Sequence, residues 1–136
     1  MRIPWLGIIH DWSKFRPSEF IPYAYHFFRA TDLGIKTGRD ETGYYSAGET
    51  DDPAFNFAWF LHQKRNKHHW QFWIFPVDFG RIKILEIPLK YRKEMLADWR
   101  GAGRAQGTLD TKKWYLRHKY KMLLGSETRK WIEANL

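Results

Sequence analysis

The chain has 136 residues, of which 43% are apolar and 18% aromatic, with a formal net charge of +8 and no cysteine. That length suits one domain with one real core, and the apolar share excludes a disordered tail. Disulfides and thiolate metal sites are excluded too, so any metal must be held by His, Asp, Glu or Asn, while the basic balance favours phosphate-bearing partners.

In chain order, "IPWLGIIHDWSKF" (3–15) predicts a helix ending near Lys14 to Arg16, and Pro17 opens the next. In "RPSEFIPYAYHFFRA" the apolar positions Phe20, Tyr23, Ala24, Phe27 and Phe28 follow a helical spacing. Pro22 falls early, where a helix tolerates it best. Residues 32–52 are rich in glycine and acids and lack periodicity, which predicts a long loop. Asp52 then offers an N-cap with Pro53 at the first helical position. Trp59, His62, Asn66, His69 and Trp73 recur at three- and four-residue steps and share one face if that helix persists. "PVDFGRIKILEIP" (76–88) reads as a connector with a short strand pair. Pro88 opens a helix through "EMLADW" that ends near Gly101 and Gly103. Two amphipathic helices follow, "TKKWYLRHKYKMLL" with Trp114, Leu116 and Tyr120 inward, and "SETRKWIEAN" with Ser126 as N-cap. No apolar run approaches the roughly 20 residues needed to span a bilayer, and no signal-peptide pattern stands at the N-terminus. The expectation is an all-α, single-domain helical bundle over residues 1–136, cytoplasmic, without a membrane partner.

The residues able to carry chemistry are His10, Asp11, Lys14, His62, His68, His69 and Asp98. Imidazole nitrogen together with carboxylate oxygen suits Mn, Fe, Co, Ni or Zn better than Ca. Several histidines bridged by one aspartate would form a hydrolytic centre, lowering the pKa of a bound water and polarising a phosphoryl oxygen. Lys14, one turn beyond Asp11, would neutralise a phosphate oxygen. Asn66 and Gln71 would orient ligands or substrate. Asp98 sits beside Met95, Leu96 and Trp99 in sequence, where an unpaired carboxylate is costly, so cations or donors should meet it. Taken singly, each of these residues has a plain structural reading, and His26 and His118 are read as structural. Joined in one order they point to a metal.

That order is His-Asp-x-x-Lys, then one His, then His-His, then Asp. It resembles, at a distance, the HD-domain metal-dependent phosphohydrolases. A closer resemblance, covering nearly the whole chain, is to a family of small, uncharacterised bacterial and phage proteins. Its words stand here as "HDWSKF", "AWFLHQKRNKHHW" and "EMLADW". The resemblance implies an HD-like helical fold and a divalent metal (Mn, Fe, Co, Ni, Zn or Mg). It implies hydrolysis of a phosphate-bearing small molecule or nucleotide. It makes His10 and Asp11 the metal dyad, with Asp11 bridging if two metals bind, and Asp98 the closing ligand. Lys14 would face the phosphate; His62, His68 and His69 would bind a second metal or touch substrate. The superfamily carries a further histidine one helix before the His-Asp pair. No histidine precedes His10, so either that ligand is missing or the natural start lies upstream of Met1. No "GYP"-like signature follows His69, so a cyclic dinucleotide is not expected.

Two rival readings come from other features. "KKWYLRHKYK" (112–121) interleaves cations with Trp and Tyr, as a nucleic-acid-binding accessory protein would, cations tracking phosphates and aromatics stacking on bases. Alternatively His10, Asp11 and Asp98 hydrogen-bond inside the core of a helical scaffold whose site is vestigial.

Overall fold

A computed structural model of the chain describes residues 11–29, 47, 50–105, 107 and 109–136. The described residues are mostly helical and hold one two-stranded sheet, so the all-α expectation holds for class. The chain divides into two compact units, Met1–Asn66 and Lys67–Leu136. The expected helix over 3–15 lies outside the described residues up to residue 10, as does nearly all of the expected loop 32–52.

In the first unit, Trp12–Phe15 is a 3-10 turn rather than the end of an α-helix. Helix α1 (Pro17–Ala24) opens on Pro17 as expected, and a π-type turn, Tyr25–Arg29, continues it. Helix α2 spans Pro53–Arg65. Asp52 caps it as predicted, its Oδ1 accepting from the N–H groups of Ala54 and Phe55 at 3.1 Å each. Its Oδ2 meets His26 Nδ1 at 3.1 Å. Burial works to raise the Asp52 pKa, but the N–H bond from Phe55 and the imidazole of His26 outweigh it and hold the carboxyl below its ordinary range. Helices α1 and α2 pack together over Phe55, which stacks on His26 at 3.9 Å and meets Tyr23 and Phe27 edge-on. His26 thus joins the cap of α2 to its packing against α1.

Helix α2 stops at Arg65, and Asn66 takes extended dihedrals. The Asn66 side chain donates to the His62 carbonyl at 2.8 Å, beside its own backbone N–H at 3.1 Å. A side chain that takes this carbonyl competes with helical continuation. Trp59, His62 and Asn66 thus belong to the end of one helix, while His69 and Trp73 lie beyond it, flanking and closing a 3-10 turn, Trp70–Trp73.

In the second unit the predicted strand pair forms: β1 (Ile74–Pro76) runs antiparallel to β2 (Ile82–Ile84), with Phe75 opposite Lys83. Phe79 and Gly80 turn the hairpin, both with positive φ. Helix α3 (Leu89–Ala105), α4 (Thr111–His118) and α5 (Ser126–Asn135) complete the unit, α3 packing on both others. Its core holds Ile87, Met95, Tyr115, Met122, Leu124 and Ile132, ringed by tryptophans. On α4 the buried side chains are Tyr115 and His118, while Leu116 and Tyr120 face solvent and Trp114 is half-buried. Trp114 thus packs against the core as expected, whereas Tyr115 takes the inward place expected of Leu116, and Tyr120, beyond the helix, is exposed. The N-cap of α5 is Gly125, which has no side chain to bond the first turn as a serine hydroxyl would. A remote carboxylate does so: Glu86 accepts from the N–H groups of Glu127 and Thr128 and from the Thr128 hydroxyl.

Candidate metal centre

Three elements of the first unit converge on His62. The residue lies in the last turn of α2 with its ring wholly buried. Its Nε2 faces Asp11 Oδ1 at 3.5 Å, and its Nδ1 lies 3.1 Å from Glu19 Oε2. Asp11 comes from the turn before Trp12, and Glu19 from the first turn of α1. Glu19 is fully buried and reaches Arg65 Nη1 with its other oxygen at 2.6 Å. Ser13 donates its hydroxyl to Glu19 Oε2 at 2.7 Å and receives an amide hydrogen from Asn66 at 2.7 Å. The ring of His62 also stacks on Trp59 at 5.5 Å. The arrangement is a chain, Arg65–Glu19–His62–Asp11–Lys14, in which a cation–carboxylate pair flanks the imidazole on each side.

Lys14 Nζ pairs with Asp11 Oδ2 at 2.5 Å, its stem partly in solvent. Asp11 therefore shows one oxygen to a lysine and the other to an imidazole. Burial, with Lys14 nearby, pushes the His62 pKa below its ordinary value; Asp11 and Glu19 pull the other way and do not overcome it.

In the second unit His68 is buried and its Nδ1 lies 3.6 Å from Glu94 Oε1 on α3. His69 is half-buried, its ring 4.3 Å from that of His68. Asp98 is half-buried one turn after Glu94 on α3, so both carboxylates belong to one face of that helix. Like Asp11, His62, His68, His69 and Glu94, it takes part in a polar or ring interaction.

Of the residues predicted from sequence, the first unit brings together Asp11, Lys14, His62 and Asn66, and the second brings His68 beside His69. His10 lies outside the described residues. Sequence reasoning missed Glu19, Arg65, Ser13 and Glu94. Glu19 reads as an ordinary first-turn acid, favourable near a helix N-terminus and turned to water. The available signal was its place one turn before Tyr23, in register with the apolar stripe rather than opposite it. Of the basic stretch on α4 and after it, Lys112, Lys113, Arg117 and Tyr120 are exposed.

These features define a mostly helical protein with a buried histidine held between carboxylates. A family model matches residues 1–136, and the chain belongs to that family, described as a family of unknown function (DUF5662). Comparison with curated proteins and with solved structures returned no match.

Proposed function

We propose that the chain is a metal-dependent phosphohydrolase with an HD-like fold, acting on a nucleotide or a related phosphoester. The observation that carries this reading is His62, gripped at one nitrogen by a buried carboxylate and facing a second carboxylate with the other. That is how proteins orient a metal-ligating imidazole. The spacing fits: two ligand atoms at about 2.1 Å from one tetrahedral ion stand about 3.4 Å apart, against 3.5 Å between His62 Nε2 and Asp11 Oδ1. In the first unit Asp11 and His62 each offer a ligand atom; His10, His68, His69 and Asp98 are the further ligands that the sequence order supplies. A metal held there would acidify water and polarise a phosphoryl oxygen. Lys14, half in solvent and already at the carboxylate, would carry its charge to a phosphate oxygen. Asn66 would hold the ring through the His62 carbonyl and Ser13.

The test is metal content per chain by elemental mass spectrometry, with phosphate release from a panel of nucleotides. Near-stoichiometric Mn, Fe, Co, Ni or Zn, lost in folded Asp11→Ala and Asp98→Ala, supports the reading. A chain that takes up no added metal, or variants with undiminished content, would sink it. One observation favours a second reading, the vestigial scaffold: Lys14 already neutralises Asp11. In that case chelation leaves the melting temperature unchanged, whereas a ligand cluster gains stability from metal by mass action.

A further inference from the structure

We infer that Glu19 fixes the tautomer of His62, and with it which nitrogen is bare; the use of that nitrogen by a metal rests on the reading above. Three polar atoms crowd His62 Nδ1, each at 3.1 Å: Ser13 Oγ, Glu19 Oε2 and Asn66 Nδ2. Asn66 has two amide hydrogens. One goes to Ser13 Oγ at 2.7 Å and one to the His62 carbonyl at 2.8 Å. A carbonyl only accepts, so it dictates which end of the amide faces it. Ser13 has one hydroxyl hydrogen and gives it to Glu19 Oε2 at 2.7 Å. Glu19, paired with the Arg65 guanidinium, only accepts.

None of these three groups has a hydrogen left to point at Nδ1. Nδ1 therefore carries its own and shares it between Glu19 Oε2 and Ser13 Oγ. The neutral ring has a single N–H, so Nε2 keeps its lone pair, on the side of Asp11 Oδ1. That is the form of histidine a metal requires. Full burial of Glu19 keeps water from competing for Nδ1. Glu19 touches neither metal nor substrate in this scheme; it is a positioning residue acting through His62. Arg65 and Ser13 hold it in turn, Arg65 on Oε1 and Ser13 on Oε2.

The experiment is nitrogen NMR on the metal-free full chain labelled with 15N-histidine. The ring nitrogens report directly which one is protonated, and His62 is assigned by its disappearance in His62→Gln. The expected wild-type spectrum has a protonated Nδ1 and a bare Nε2. Glu19→Ala should move His62 toward the Nε2–H form. Should that variant not fold, Glu19→Gln keeps the shape but adds a donor, and should populate both forms. A wild-type ring protonated on Nε2, or a ring unchanged in both variants, overturns the inference. A parallel calorimetric titration with Zn²⁺ separates the two proposals. Glu19→Gln should bind about 10–100-fold more weakly than wild type. Protonated Nδ1 without Zn²⁺ uptake supports the Glu19 inference and removes the metal reading alone. Zn²⁺ uptake with Nε2–H in the metal-free chain removes the Glu19 inference alone.

Discussion

Arg65→Met tests whether the buried carboxylate of the first unit is ionised and held by one cation. Arg65 Nη1 donates to Glu19 Oε1 at 2.6 Å and to Ser18 Oγ at 3.0 Å. Glu19 is 0% exposed and Arg65 28%. Removing one partner of a fully buried ion pair costs about 3–5 kcal/mol, because a charge is left without compensation. Two features of this pair lower that figure. Arg65 lies partly in solvent, which screens it, and Glu19 keeps the Ser13 hydroxyl and the His62 ring on its other oxygen. The expected loss is about 2–3 kcal/mol. Methionine preserves most of the apolar stem, so little of the loss comes from packing. Urea unfolding reads it as a fall in midpoint of roughly 1–2 M at unchanged slope. In a double-mutant cycle, Arg65→Met should cost much less in a Glu19→Gln background, where no charge is stranded. A single variant within about 0.5 kcal/mol of wild type would refute the reasoning, since Glu19 would then be neutral or reached by water.

Further expectations concern the second unit. Glu86 caps α5 with three bonds between 2.7 and 3.1 Å, so Glu86→Gln should lose about 1–2 kcal/mol at pH 7 by thermal or urea unfolding. Burial works to raise the Glu86 pKa, but the bonds from Thr128 and Glu127, with Arg92, hold it below the ordinary glutamate value. As pH falls the unfolded chain takes the proton first, so this stability is present above about pH 4.3 and fades through the lowered folded value. The gap between wild type and Glu86→Gln should therefore close in acid, and a gap constant from pH 7 to acid would count against the cap. A Cβ on Gly125 would collide with the Glu86 carboxylate; Gly125→Ala should displace it, cost a similar amount, and be non-additive with Glu86→Gln. Phe79 has φ 62° and is 95% exposed at the hairpin turn. Phe79→Asn, which tolerates the left-handed region and forfeits no packing, should stabilise by about 0.5–1 kcal/mol in the same assay.

Features set by a few neighbouring residues were legible in the sequence. Asp52-Pro53 starts α2, Pro17 starts α1, and the turn-forming stretch around Gly80 closes the hairpin, because each depends on local backbone chemistry. Features decided by a contact across the chain were not. Periodicity ran past Asn66 because no proline or glycine interrupts it; the stop comes from one amide reaching back to the His62 carbonyl. Ser126 looks like a cap, yet the cap arrives from Glu86, far away in sequence. On α4 Tyr115 and Leu116 are neighbours that could both pack inward, and only the core of that unit selects Tyr115.

The candidate site divides along the same line. His62 and Asp11 were visible because histidine and aspartate in an aromatic setting are chemically conspicuous. Glu19 was hidden because its meaning depends on its partners. On the helix surface it would be an unremarkable acid, favourable to the first turn; buried, it is tenable only because Arg65, Ser13 and His62 answer both of its oxygens. None of those three is near enough in sequence to announce the contact by helical spacing. Burying an acid beside a histidine costs desolvation that an apolar pair would avoid. What it supplies in return is direction, since a ring held at Nδ1 can present Nε2 only one way. Arg65 then matters to the centre without touching it, and Ser13 touches only the ring nitrogen turned away from Asp11. Variants at these two positions should disturb the His62 tautomer in proportion to how far they loosen Glu19, a graded response that NMR on the metal-free chain can rank: Arg65→Met above Ser13→Ala. Equal and negligible effects from both would leave Glu19 as packing alone.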